Sequence, residues 1–145
     1  MRQLTIKTIA YSEAISEIQA IRRLVFQGEQ GVDPALDFDG LDEIAEHLLA
    51  YLDNQPVGTA RVRYLDAETA KIERLAVLPR SRGQGIGKKL MEKALEVAHQ
   101  KERKEVGVHA QEYVKGIYQQ LGFEQVGERF EEAGIYHVKM RKKLR

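Results

Sequence analysis

Apolar residues recur along this chain with two periods, and the elements change where the period changes. Leu4 to Ala10 has the composition of a first strand. A helical period follows in Ile15, Ile18, Ile21 and Val25, with Ser12 as the expected N-cap. Gly28 and Gly31 break it and open a loop through Asp42 that is rich in acids. His47 to Leu52 and Val57 to Tyr64 flank Asp53-Asn54-Gln55-Pro56, which reads as a hairpin. A second turn at Asp66 to Thr69 leads into a strand from Lys71 to Leu78, so strands two to four form an antiparallel meander. Pro79 cannot donate to a ladder and ends that strand. The helical period returns at Ile86, Leu90, Ala94, Val97 and Ala98 and runs to about Lys101. There follow a short strand, Glu105 to His109, and a helix from about Tyr113 to Leu121 that Gly122 caps. Two final strands, Val126 to Phe130 and Ile135 to Met140, are joined near Gly134. This order predicts one α+β domain over residues 1–145 with a largely antiparallel sheet.

Composition narrows the chemistry. Hydrophobic residues make up 43% and charged ones 31%, as in an ordinary soluble domain, and the net charge of +1 gives no reason to expect nucleic acid or an anionic membrane as partner. The basic ending Lys139, Arg141, Lys142, Lys143, Arg145 reads as a solvated end. With no cysteine, disulfides, thiolate metal sites and cysteine acyl-enzymes are excluded. The three serines, Ser12, Ser16 and Ser81, include no nucleophile elbow. The opening residues lack the apolar core of a signal peptide, and no run is of membrane length, so the cytoplasm is the default location.

The informative stretch is KIERLAVLPRSRGQGIGKKL, Lys71 to Leu90. A strand passes through a turn bearing two arginines and glycines 83, 85 and 87, then enters a helix. Such a turn makes an anion site: glycine lets backbone approach a ligand, first-turn N–H groups lack partners, and the helix dipole favours negative charge. A Walker A loop fails, because Arg82 stands where its first glycine belongs and Lys89 where Ser/Thr belongs. A Rossmann loop fails because only one residue separates the second and third glycines.

The stretch resembles the acetyl-CoA-binding motif of the GNAT N-acetyltransferases, Arg/Gln-x-x-Gly-x-Gly/Ala, here Arg82-Gly83-Gln84-Gly85-Ile86-Gly87 after the strand Leu75-Ala76-Val77. Ile117-Tyr118-Gln119-Gln120-Leu121-Gly122-Phe123 is similar to the Tyr-x-x-Leu-Gly-Phe element of the family's last helix. Val25-Phe26 with Glu29-Gln30, Asp39-x-x-Asp42, His47, Arg61 and Glu132-x-Gly134-Ile135-x-His137-x-x-Met140 resemble a branch of small bacterial members, the YjcF/ElaA-like proteins. The resemblance implies a three-layer α/β/α fold with a mixed, mostly antiparallel sheet of about seven strands and about four helices.

It also implies an activity: direct transfer of an acetyl group from acetyl-CoA to a primary amine of a small molecule or peptide, in a protein that is often a homodimer. On this reading the N–H groups of Arg82 to Gly87 and the charge of Arg82 or Lys88 hold the pyrophosphate. The backbone of Leu75, Ala76 and Val77 pairs with the pantetheine arm, the Leu75 N–H serves as oxyanion donor, and Gln111 joins the cofactor set. Tyr118 matches the family's general acid for the thiolate, against packing between helix and sheet. Lys71, Glu73 and Leu75 alternate onto one strand face, and Glu73 stands as either a general base or a salt-bridge partner of Arg61 or Arg63. His137 is an alternative base, a substrate ligand or a structural group. Glu29, Asp39, His47 and Glu132 are candidates for the acceptor side, where the acidic loop is either a solvated rim or a wall that attracts a cationic amine. An EF-hand reading of that loop lacks its first carboxylate, because Ala35 stands there, and the four histidines show no metal spacing, so no metal is expected. The alternative function is an inactive GNAT domain that binds acyl-CoA as a sensor or interaction module.

Overall fold

Tight turns set the register of the sheet in the computed structural model, which describes residues 2–145. Asp53 and Asn54 take φ of 50° and 67°, the left-handed pair of a two-residue hairpin, and join β2 (Glu46–Leu52) to β3 (Gln55–Tyr64). Asp66 Oδ1 accepts from the N–H groups of Glu68 and Thr69 and turns the chain into β4 (Thr69–Val77). With β1 (Leu4–Ala10) on the outside, this gives the expected antiparallel run β1-β2-β3-β4. Then β5 (Glu105–Gln111) joins β4 in parallel, and β8 (Ile135–Lys143) pairs antiparallel with β5. The region expected as one strand near Val126 divides into β6 (Glu124–Gln125) and β7 (Phe130–Glu132), both on β8, so the sheet has eight strands. Gly127, at φ 79°, lies in the break.

Helices cover both faces. α3 (Ile86–Gln100) buries Ile86, Leu90, Met91, Ala94, Val97 and Ala98 against the inward residues of β2, β3, β5 and β8. It lies close because Gly58 has no side chain; a Cβ there would stand 3.0 Å from Leu90 Cδ1 and 3.2 Å from the Ala76 carbonyl oxygen. α4 (Lys115–Gln120) adds Tyr118 to the same layer, and Gly122, at φ 94°, ends it as expected. On the opposite face α1 (Ile15–Arg22) packs Ile18 and Ile21 on Leu49 and Ala76. Ser12 does not cap α1: a 3-10 turn over Tyr11–Glu13 intervenes, and Ala14 takes the cap position.

After α1 the chain continues as a π-helical segment, Arg23–Glu29, and then a short helix α2 (Pro34–Asp37). The wider π turn carries Glu29 and Gln30 over the end of the sheet. Among the described residues, no helix is long and apolar enough to cross a membrane.

Candidate active site

The glycine turn is built as an open cradle. Gly83 and Gly85 have φ of 80° and 75°, and nothing lies within 4 Å of where a Cβ would stand on either. The Arg82 N–H bonds the Pro79 carbonyl and the Lys89 N–H bonds that of Gly85. Between them the N–H groups of residues 83 to 88 have no backbone partner, a row of donors at the positive end of a 15-residue helix. Arg82 Nε donates to the Val77 carbonyl at 3.0 Å, tying the turn to the end of β4. Its terminal nitrogens grip Glu29 at 2.9 and 2.5 Å, which holds that carboxyl below the usual range. Glu29, a candidate for the acceptor side, is thus paired with the glycine turn's own arginine. Its carboxylate competes with any phosphate for the same guanidinium fork. Glu29→Gln is expected to tighten acetyl-CoA binding about two- to fivefold in a calorimetric titration, the scale of an exposed ion pair.

Beside the turn, β4 and β5 part. Their parallel pairing ends at Lys71 with Gly107, so Ile72 to Val77 face a gap opposite Val108 to Gln111. The free backbone groups along β4 offer a sheet edge to an extended, amide-bearing chain. Where β5 ends, Gln111 Nε2 donates to Gln30 Oε1 at 3.0 Å.

A bulge corrects the expected alternation on β4. Thr59 pairs with Ala76 but Arg61 pairs with Glu73, so β4 carries one extra residue there, and Arg74 has φ 56°. Ala70 and Ile72 belong to the α3-side core, and beyond the bulge so do Leu75 and Val77, while Ala76 turns to the α1 side. Lys71 and Glu73 thus face the α1 side and Leu75 the other.

The acidic loop is neither a solvated rim nor a free acidic wall, because arginines take up its buried carboxylates. Arg22 holds Asp37 and Asp42, at 2.9 and 2.6 Å. Arg61 spans Asp39 and Asp42, at 2.9 and 3.0 Å, and also reaches Glu73. Arg74 binds Asp37 and Asp39, and Glu73 takes Arg63 and Lys71 besides. The cations Arg63, Lys71 and Arg74 are more open to solvent than Asp37, Asp42 and Glu73. His47 is only 1% exposed, packs against the Tyr11 ring and bonds the Asp42 carbonyl through Nε2, so it cannot touch an acceptor. Burial alone would push the Glu73 carboxyl up, but the hydrogen bonds from Arg63 and the charge of Arg61 outweigh it and bring it to about 2. A carboxylate held that low is a poor base, which favours its ion-pair reading.

The pH dependence follows from that shift. The folded value of about 2 lies below the ordinary 4.5, so between the two the unfolded chain binds more protons. The stabilisation is complete above 4.5 and is lost as pH falls toward 2. Asp39 is lowered as well, since hydrogen bonds from Arg61 and the Leu41 N–H overcome its burial. The melting temperature of wild type is expected to fall as pH drops from about 4.5 toward about 2, and that of Glu73→Gln to fall less steeply.

On the far side of the gap, Tyr118 packs edge-on to Phe123, ring centroids 5.9 Å apart, and burial pushes its hydroxyl up to about 12. At neutral pH it is a phenol with a proton to give. His137 is nearly buried; its Nδ1 donates to the Ile135 carbonyl at 2.8 Å, and Nε2 turns toward Glu132 at 3.7 Å. Glu132 Oε1 in turn lies 3.1 Å from Nδ1 of His109. Sequence reasoning passed over His109, which no motif marks; the register of β5 with β8 is what assembles these three groups.

Comparison with known proteins agrees with this geometry. Residues 29–144 match the family model described as "Acetyltransferase (GNAT) domain". The chain belongs to the GNAT acetyltransferase family. YyaT of Bacillus subtilis (strain 168) is 38% identical over 144 residues, 97% of each chain. The crystal structure of Escherichia coli ElaA superposes with a TM-score of 0.85 at 31% identity, covering 97% of this chain and 99% of that one, and supports the ElaA-like branch. A GNAT acetyltransferase from Elizabethkingia anophelis, solved with acetyl-CoA bound, shares the fold at 22% identity and TM-score 0.76, over 97% and 98% of the two chains. The family's activity is acyl transfer.

Proposed function

We infer that the protein transfers the acetyl group of acetyl-CoA directly to a primary amine. The observation that carries this reading is the adjacency of the open glycine turn to the β4–β5 gap. Diphosphate fits the row of free N–H groups at residues 83 to 88, and the extended pantetheine fits the sheet edge along Leu75, Ala76 and Val77. The Elizabethkingia protein binds acetyl-CoA on the same fold, which supports that choice of donor. On this reading the glycine turn, the sheet edge and Tyr118 serve the donor's parts in turn, from the anionic end to the sulfur.

In the reaction the amine nitrogen forms a bond to the thioester carbonyl carbon, the carbonyl oxygen takes negative charge, and the C–S bond breaks. The Leu75 N–H is the proposed oxyanion donor. The Tyr118 hydroxyl gives its proton to the departing sulfur. Burial that raises the phenol would raise a thiolate beside it too, so the two stay matched. The test is thiol release from acetyl-CoA in the presence of a panel of primary amines, amino acids and peptides. Saturable release that requires both the enzyme and one amine is expected. Binding of acetyl-CoA with no amine-dependent release from any member of the panel would count against it.

A further inference from the structure

We propose that His109 is the general base of this reaction and that Glu132 is its positioning residue. The proposal rests on the transferase reading above, and the geometry is independent of any motif. His109 is two residues beyond Gly107, where β4 and β5 cease to pair, so it sits at the opening of the gap. Its neighbours Val108 and Ala110 point into the α3-side core, so its ring lies on the same face of the sheet as Glu73. We take that face, opposite the α3 layer, as the acceptor side. Its side chain is 29% exposed, against 9% for His137.

The tautomer follows from the partner. Glu132 is ionised at neutral pH, because the hydrogen bond from His109 holds it below the ordinary range, and a carboxylate only accepts. Nδ1 of His109 therefore carries the hydrogen, and Nε2, on the other side of the ring, carries a lone pair. Phe130 sets the ring's tilt, with centroids 5.0 Å apart at 75°. His137 presents the opposite arrangement: its Nδ1–H is spent on Ile135 and its Nε2 turns to Glu132 rather than to the groove. Lys139 of β8 stands opposite His109 in the register, and Lys71 of β4 lies near enough to act on Glu132.

The protons balance. An ammonium acceptor sheds two: the first passes to His109 Nε2 before attack and then to water. The second leaves the nitrogen of the tetrahedral adduct and replaces the proton that Tyr118 gives to sulfur. The products are the amide, the thiol and one proton in solution.

Two measurements test this. In free wild-type protein, ring-nitrogen NMR should show His109 as the Nδ1–H tautomer, and Glu132→Gln should mix or reverse it. An Nε2–H tautomer in wild type overturns the proposal. For kinetics, the probes are ethylamine, an ammonium at neutral pH, and hydroxylamine, a nucleophile that needs no deprotonation. With the wild-type rate corrected for uncatalysed release, His109→Gln should lose about 100-fold or more in kcat/KM with ethylamine and far less with hydroxylamine. Equal loss with both probes, or no loss with ethylamine, overturns it. A thermal shift with acetyl-CoA shows that the variant still folds and binds donor. Failure of wild type to bind acetyl-CoA would instead sink the transferase reading itself.

Discussion

Arg61→Met is expected to cost about 3–5 kcal/mol and to lower the melting temperature by roughly 10 °C. Arg61 is 1% exposed, and its two terminal nitrogens serve Asp39 and Asp42 of the acidic loop and Glu73 of β4. Removing it leaves buried carboxylates facing one another with fewer cations between them, and the penalty is that of an uncompensated buried charge. The remaining partners, Arg22, Arg63 and Arg74, keep the loss from being larger. Arg61→Lys retains a charge but not the fork that bridges Asp39 and Asp42, so it should fall between wild type and Arg61→Met. Thermal unfolding of the three proteins at one salt concentration checks the order. A methionine variant as stable as wild type would show that the loop through Asp42 is not held by this network.

Tyr118→Phe is expected to lower kcat by about 100-fold or more while leaving acetyl-CoA affinity unchanged, because only the proton donor is removed. The ring packs in the α3-side core against Phe123, and phenylalanine keeps that packing. The hydroxyl is thus the one thing the substitution tests. Burst kinetics of thiol release and calorimetric binding of acetyl-CoA separate the step from the affinity. Loss of affinity equal to the loss of rate would assign Tyr118 to binding instead of proton transfer.

Most of the fold was legible because local signals and the tertiary answer agree. Asp53-Asn54 and Gly122 have the turn and cap chemistry that their positions need, and the α3 period is unbroken from Ile86 to Ala98. The glycine turn was legible because three closely spaced glycines between a strand and a helix have few other uses. The bulge at Arg74 was not, since a non-glycine residue at positive φ leaves no mark in composition, and one extra residue reverses every later side chain on β4. The π turn was hidden for a similar reason: Val25 lies inside it and still continues the helical spacing of Ile15, Ile18 and Ile21. The carboxylates of the loop looked free because their arginines lie far away in sequence, Arg61 being 22 residues from Asp39. The His109–Glu132 contact depends on strand register across 23 residues, which periodicity does not fix.

The central claim, that the glycine turn and the β4–β5 gap hold the acyl donor, is tested most directly by acetyl-CoA binding to wild type and Gly85→Glu. At a hundredfold over its dissociation constant a ligand adds about 2.7 kcal/mol, a melting-temperature rise of roughly 5–10 °C. Gly85 needs a left-handed backbone, and a carboxylate there would face the incoming phosphates. The expected result is a rise in wild type that is absent in a folded Gly85→Glu. An equal rise in both proteins, or none in wild type at saturating acetyl-CoA, would contradict the account.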